Sequence, residues 1–518
     1  MKAIVCFLCV GAALVGSSAC SNSGTSSTVR PRDAATGSAG ASAAAGASAG
    51  AGVAGGSLIV QDVGGGSGTD TTCDGGPCGA CPPGNTTTIS GYVYDPAGKN
   101  PLYNISVYVP DPASPLPNLD NVQVACGCSQ LFPAKVLATG AATDATGHFE
   151  IPCAPSGSVS LVVQTGKWRK QYDGIAVTAN QENKVPNMRL PANSAEGSLP
   201  NIAISTGASD SFECLPLRMG VSASEYVAGS ATGGHIHIYT GYHGAALASG
   251  AVESYSNLWD TQAHMNEHDV VILSCEGQET TGGTPGAQID ATAQGYLMSY
   301  ANGGGRVFAS HFQYSWFNTG PFATAPNNLA TWTAGSQHVD DSRAIPAVID
   351  TTLNTGAAFP EGAALGQWLN LVGALTNNQL PIWFARNNVQ ALAQPPSTEW
   401  IHVDPSVAES PLATQYFSVD TPINAAGGAV CGRVVYSDLH VSGGPGMNAP
   451  GVAADYPKGN GNGNGNGNGN GGMRGGVVPT ECADHPLTPQ EEALEFMLFD
   501  LSSCLVPIGQ SPPITIIK

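Results

Sequence analysis

Three pairs of residues carry side chains that could do chemistry: Cys275 with Glu276, Ser310 with His311, and Asp438 with His440. Each pair closes a short apolar run, "HDVVILSCEG", "RVFASH" and "CGRVVYSDLHVS". A thiol or hydroxyl near imidazole and carboxylate is the material of nucleophilic catalysis. Cys275 or Ser310 would attack, His311 or His440 would take the proton, and Asp438 or Glu276 would orient the ring. No G-x-S-x-G elbow accompanies them, so the same residues also read as a buried or bridged cysteine and histidines that satisfy loop carbonyls.

Metal ligation is a second chemistry for the same residue types. His235 and His237 alternate on one run, His243 follows, and His264 and His268 stand four apart. His311, Asp438 and His440 add nitrogen and carboxylate donors suited to zinc. No HExxH motif fixes such a site, and the sequence assigns neither metal nor cofactor. Beyond His311 the run "HFQYSW" adds Gln313, Tyr314 and Trp316, whose polar and flat groups suit a ligand contact such as a sugar face. Trp332, Trp368, Trp383 and Trp400 read instead as core.

The elements that must position these residues follow from periodicity. "LPNIAISTG" and "HDVVILSCEG" are continuous apolar strands with abrupt polar ends. "ATAQGYLMSYANGGG" is a helix stopped by glycine, and it leads directly into "RVFASH". Strand, helix, strand with short turns is a βαβ unit, which requires a parallel sheet. In such a sheet all carboxyl ends share one rim, so Cys275, His311 and His440 are expected side by side. "LTPQEEALEFMLFDLSSC" begins as a capped helix, with Thr488 at the cap, Pro489 in the first turn and Glu491 three residues on. Upstream, "TTTISGYVYDPAGKNPLYNISVYVP" and "ATDATGHFEI" are short strands joined by Gly and Pro turns, the pattern of a small β-sandwich.

Length and charge limit the function classes. With 518 residues, two folded domains and a linker are expected. The balance of 38 acidic to 18 basic residues, net −20, opposes binding to nucleic acid or an anionic membrane surface. Lys2 followed by the apolar run Ala3 to Val15 and a small-residue stretch ending at Cys20 reads as an export signal too short to span a bilayer. Residues 21 to 72 are almost wholly Ser, Gly, Ala and Thr, a stalk that reaches on the order of 40 Å as a flexible coil. Taken with the cysteine cluster "CDGGPCGAC", the disordered stretch is expected over 21–85, and a second such segment at the Asn-Gly run 459–472. Eleven cysteines beyond Cys20 allow five bridges and one thiol, and export favours disulfides over zinc at that cluster.

Several of these stretches resemble known families. The region 1–20 resembles a bacterial lipoprotein signal, which implies lipidation of Cys20 and a cell surface or outer-membrane location; ordinary cleavage would leave a secreted or periplasmic chain. Residues 86–192, through "DPAGKNPL" and "TDATGHFEI", resemble the carboxypeptidase regulatory-like family, a transthyretin-like sandwich whose implied role is structural or adhesive. Residues 199–507, through "DVVILSCEG", "YANGGGRVFASH" and "GRVVYSDLH", resemble the class I glutamine amidotransferase-like fold of the trehalose-utilisation type, a flavodoxin-like α/β domain. The nucleophile position of true amidotransferases is held here by Ser310 and His311, so that activity is not implied. The two-domain layout resembles exported proteins of social delta-proteobacteria. It does not support a (β/α)8 barrel of the tryptophan synthase alpha-chain kind. The expected function is an envelope lipoprotein that binds or scaffolds a glycan or protein ligand; the alternative is a diverged hydrolase of an envelope polymer or glycan.

Overall fold

Ten strands run side by side through the second part of the chain. In the computed structural model, the described residues are 81–510 apart from 121, 123–124, 243, 252, 280–288, 336, 341, 408–412, 426–428, 441–477, 480–481 and 483–485, with 72–73 and 76–77. Cys20, the Ser/Gly/Ala stretch up to 71, Cys78, His243 and the run 459–472 lie outside them.

Besides the two-residue strands Thr72–Cys73 and Gly76–Pro77, which pair with each other, the first part of the chain supplies eight strands in two sheets: β1 (Thr88–Tyr94), β2 (Ser106–Pro110), β3 (Val136–Thr139), β4 (His148–Ile151), β5 (Gly157–Thr165), β6 (Trp168–Val177), β7 (Glu182–Lys184) and β8 (Met188–Arg189). One sheet has the order β8-β1-β4 with β7 also paired to β1; the other has the order β3-β2-β5-β6. The described residues take in the last part, 81–85, of the stretch expected as stalk. Cys81 is bridged to Cys153, and Thr86 donates its backbone N–H to Asn180.

The ten-stranded sheet is built from β9 (Ile202–Ser205), β10 (Tyr226–Ala228), β11 (Ile236–Tyr239), β12 (Val270–Leu273), β13 (Arg306–Ser310), β14 (Ile345–Ile349), β15 (Leu380–Ile382), β16 (Thr398–Val403), β17 (Thr414–Thr421) and β18 (Gly432–Ser437). Its order is β10-β11-β9-β12-β13-β18-β17-β16-β14-β15. From β10 to β18 every pairing is parallel. From β18 to β15 every pairing is antiparallel. The parallel half matches the strands read from sequence; the antiparallel extension is a structural finding.

Alternation along the parallel strands sorts two cores. Ile202, Ile204, Val270 and Ile272 face one cluster, which also takes up the sandwich residues Ile89, Leu161 and Trp168. Ala203, Val271 and Leu273 face the other, which is rich in aromatic rings. Both faces are covered, so β12 is apolar at every position and β9 at all but its last. On the aromatic side lies helix α1 (Ala291–Asn302), capped by Asp290, which accepts from Thr292 and Ala293 N–H. It stops where expected: Gly304 has φ +115°, and a Cβ there would fall 2.5 Å from the Ala125 backbone. On the other side lie α2 (Pro360–Leu371) and α3 (Pro489–Ser502). Helix α3 has the complete Thr488–Glu491 capping box.

The sandwich and the sheet are joined tightly within one compact unit. Trp168 packs on Phe499 with ring centroids 5.8 Å apart, and Tyr103 stacks on Phe496. Trp368 donates to the Pro101 carbonyl, and disulfides Cys126–Cys431 and Cys128–Cys504 cross the same seam. A fourth bridge joins Cys214 to Cys482, which leaves Cys275 as the free cysteine among the described residues. No helix among the described residues is long and apolar enough to cross a membrane.

Candidate functional site

Strands β9, β12, β13 and β18 are consecutive neighbours in the parallel half, and their registers bring their last residues level. Leu273 pairs with Ser205 and Ala309, and Ser310 with Ser437. One or a few residues further on, each chain places a polar group on the shared rim: Asp210, Cys275, His311 and His440. The expected convergence is therefore present, with one member that the sequence reading passed over. "IAISTGASD" also ends a strand in polar residues, so the rule that found the other three applies equally to Asp210.

The contacts form a closed chain. Cys275 Sγ lies 3.3 Å from His311 Nδ1. The His311 and His440 rings meet edge to face at 4.7 Å. His440 Nδ1 lies 3.3 Å from Asp210 Oδ2, which also accepts from Ser310 Oγ at 2.7 Å. Ser310 Oγ in turn accepts the Cys275 N–H at 3.0 Å. Cys275 Sγ and one nitrogen from each of the two rings all lie within 4.8 Å of one another. Close backbone approach supports this packing: a Cβ on Gly207 would sit 2.2 Å from the Cys275 carbonyl. His311 itself is held at φ +42°, a left-handed conformation costly for a non-glycine residue and typical of functional positions.

Asp438 is placed beside the cluster and turned to another task. Its Oδ2 accepts the N–H groups of Asn388 and Val389, and Tyr436 OH lies 3.0 Å from its Oδ1. It thus anchors the 388–389 turn and does not orient either imidazole. Glu276 is also buried, with the Gln313 side chain beside its carboxyl. Burial pushes its carboxyl up to about 8, with Gln313 opposing the rise.

The electrostatics oppose a charged nucleophile pair. Cys275 is 0% exposed, and burial, helped by the Asp210 charge, pushes its thiol well up. His311 is 1% exposed, and burial followed by its neighbours His440 and Arg386 holds its imidazole well below the usual range. A dyad of thiolate and imidazolium needs both shifts in the opposite direction.

Gln313, Tyr314 and Trp316 are not on an open loop. They belong to a 3-10 helix, His311–Trp316, buried throughout. Gln313 donates to the Ser274 carbonyl and accepts from Trp316 Nε1. Tyr314 OH bonds Glu279, its ring stacks on Trp332, and Trp316 packs edge to face on Trp259. Their flat faces are spent on the aromatic core, so as placed they offer no sugar platform. The other histidines disperse as well. His235 pairs with Glu225, and His264 with Asp260 on the surface. His237 and His268 pack on each other at 4.8 Å, apart from the rim cluster. A half-buried group of Asp350, Glu399 and His402 is a second set with metal-ligand spacing, on the antiparallel half.

No family model matches the chain, and no curated protein matches it. Among solved structures, the cytoplasmic protein STM3548 from Salmonella typhimurium is similar at 12% identity, covering 48% of this chain and 91% of that one, with a TM-score of 0.27. The cytoplasmic protein STM1381 from Salmonella typhimurium LT2 matches at 10% identity over 57% and 89%, TM-score 0.26. A chain of a type II cohesin-X-dockerin complex from Acetivibrio cellulolyticus matches at 15% identity over 24% and 76%, TM-score 0.14. At these scores none bears on a residue of the site.

Proposed function

We propose that this chain is an exported cell-envelope lipoprotein, anchored through Cys20, that acts as a binding or scaffold protein for a glycan or protein ligand. Its parts are a carboxypeptidase regulatory-like sandwich and a flavodoxin-like, amidotransferase-like sheet, as in the exported delta-proteobacterial proteins it resembles. The observation that carries the reading is the closure of the strand-end cluster: Cys275 and Ser310 are each 0% exposed, so no nucleophile meets solvent. The disulfides across the seam suit a rigid extracellular spacer and head.

The hydrolase reading draws on one observation, the 3.3 Å separation of Cys275 Sγ and His311 Nδ1, which is dyad spacing. Native alkylation of the purified, oxidised chain separates the two. The binding protein leaves Cys275 unreacted until denaturant is added, and on a glycan array it retains its ligands in Cys275→Ser without releasing products. Rapid alkylation of the folded chain, together with polymer cleavage abolished in Cys275→Ser, would establish the hydrolase instead. Labelled palmitate incorporation lost in Cys20→Ala tests the anchor.

A further inference from the structure

We propose that Cys275, His311 and His440 are the ligands of a buried transition-metal centre of the zinc class. The inference rests on the rim geometry alone and holds whether or not the chain binds a glycan or protein.

Ligand spacing is the first support. A sulfur and a nitrogen bound to one tetrahedral zinc at about 2.3 and 2.0 Å stand roughly 3.5 Å apart. Cys275 Sγ and His311 Nδ1 stand 3.3 Å apart, and all three donor atoms fall within 4.8 Å. They come from three adjacent strand ends, β12, β13 and β18, whose register is fixed by the parallel ladder.

The outer partners are the second support. A ligating imidazole presents one nitrogen to the metal and has the other held by a protein acceptor. His440 shows this arrangement, with Nδ1 at Asp210 Oδ2 and Asp210 itself fixed by Ser310 Oγ. For His311 the nitrogen facing the thiol is Nδ1. The same ring also meets the Asn388 side chain, whose hydrogen bond supplies an outer partner.

The third support is residue type. A thiolate with two imidazoles is the donor set of borderline and soft cations, zinc or copper, and a poor one for magnesium or calcium. Three protein ligands leave a fourth position for water or another oxygen donor. On binding, the Cys275 S–H bond breaks, its electron pair forms the S–metal bond, and one proton passes to solvent. Both imidazoles bind as neutral donors through a lone pair, with no change of oxidation state. With Cys275 and His311 sealed, the cation enters while the chain folds.

The test uses the full chain, exported or refolded oxidatively with zinc(II), then dialysed and assayed by plasma mass spectrometry. About one equivalent per chain is expected in the wild type and in His264→Ala, and less than about a tenth in Cys275→Ser and His440→Ala. Asp210→Asn, which alters a positioning residue, is expected to bind about 10–100-fold more weakly. Because a ligand variant could misfold, the wild type is also refolded with cobalt(II). A thiolate-to-cobalt charge-transfer band, and release of one proton per cation, are expected. Copper retained in place of zinc with a thiolate-to-copper band supports the same centre. Wild type without bound metal or a thiolate band overturns it, as does metal that survives in Cys275→Ser but is lost in His402→Ala.

Discussion

The sandwich and the parallel half of the large sheet dispose of their polar groups in opposite ways. Strand β6 of the sandwich buries its two ends, Trp168 and Val177, packs Tyr172 and Ile175 partly against the core and exposes Gln171, Asp173, Gly174 and Ala176. Strand β12 is buried at every position, because cores lie on both of its faces. A strand of the first kind can place a polar side chain anywhere along its outer face. A strand of the second kind keeps polar groups toward its ends, and four carboxyl ends meet at Asp210, Cys275, His311 and His440. The difference explains why these four groups meet on one rim.

The sharpest way to break that contrast is to disturb a charge inside the doubly covered sheet. Arg433 on β18 is 2% exposed and bonds Asp420 at 2.7 Å and Asp500 at 2.8 Å. Arg433→Ala strands two carboxylates and should cost about 3–5 kcal/mol in urea unfolding. Lys184→Ala on sandwich strand β7, where the ion pair to Glu182 is open to water, should leave the midpoint unchanged. Equal losses at the two sites would erase the distinction.

A second experiment separates the two regions without touching either core. Cys128 and Cys504 are 376 residues apart in sequence. Replacing both by serine should lower stability by about 2–4 kcal/mol, and limited proteolysis should then cut between sandwich and sheet before it cuts within either. Unchanged stability would mean that the apolar seam alone holds them.

Acidity moves the same seam. Asn100 of the sandwich donates to both Glu492 and Glu495 on α3. Burial pushes Asp95 up to about 6, Glu492 up to about 7 and Glu495 well above its ordinary value. Folded carboxyls that hold their protons above the unfolded values favour the folded state at low pH. This contribution is complete below about pH 4 and is lost as pH rises through 6 to 7. Melting followed from pH 5 to 8 should show the seam loosening, and Glu492→Gln should flatten that slope.

The smallest expected effect lies at the start of α3. Thr488→Ala removes the cap and should cost about 1 kcal/mol, measured by the same unfolding curve. A loss several times larger would show that the helix start also holds the rim, where Gln490 donates to the His440 carbonyl.

Much of this plan is legible in the residues. The runs before Cys275, His311 and Asp438 declare themselves as strands because continuous apolar character survives only when both faces are covered. The glycines at 303–305 and the Thr488 cap mark helix ends through local backbone chemistry. The antiparallel extension is harder to read: β14 and β15 are short and contain Pro346 and Pro381, and β16 is irregular where it pairs with β17. Exposure at the rim was illegible for another reason. A polar end looks the same in sequence whether it meets water or is covered, and Tyr314 and Trp316 are covered by Trp332 and Trp259 from distant segments. Asp210 was readable by the same rule as its partners.

The bridges Cys126–Cys431 and Cys128–Cys504 also dictate an order of events during biogenesis. The thiols at 126 and 128 leave the ribosome about three hundred residues before either mate exists. During that interval the neighbouring Cys153 and Cys214 are the nearer targets for oxidation. Correct assembly thus requires early thiols to stay unpaired, or to be reshuffled, until the last strand and tail arrive, which ties the yield of finished protein to thiol–disulfide exchange during folding.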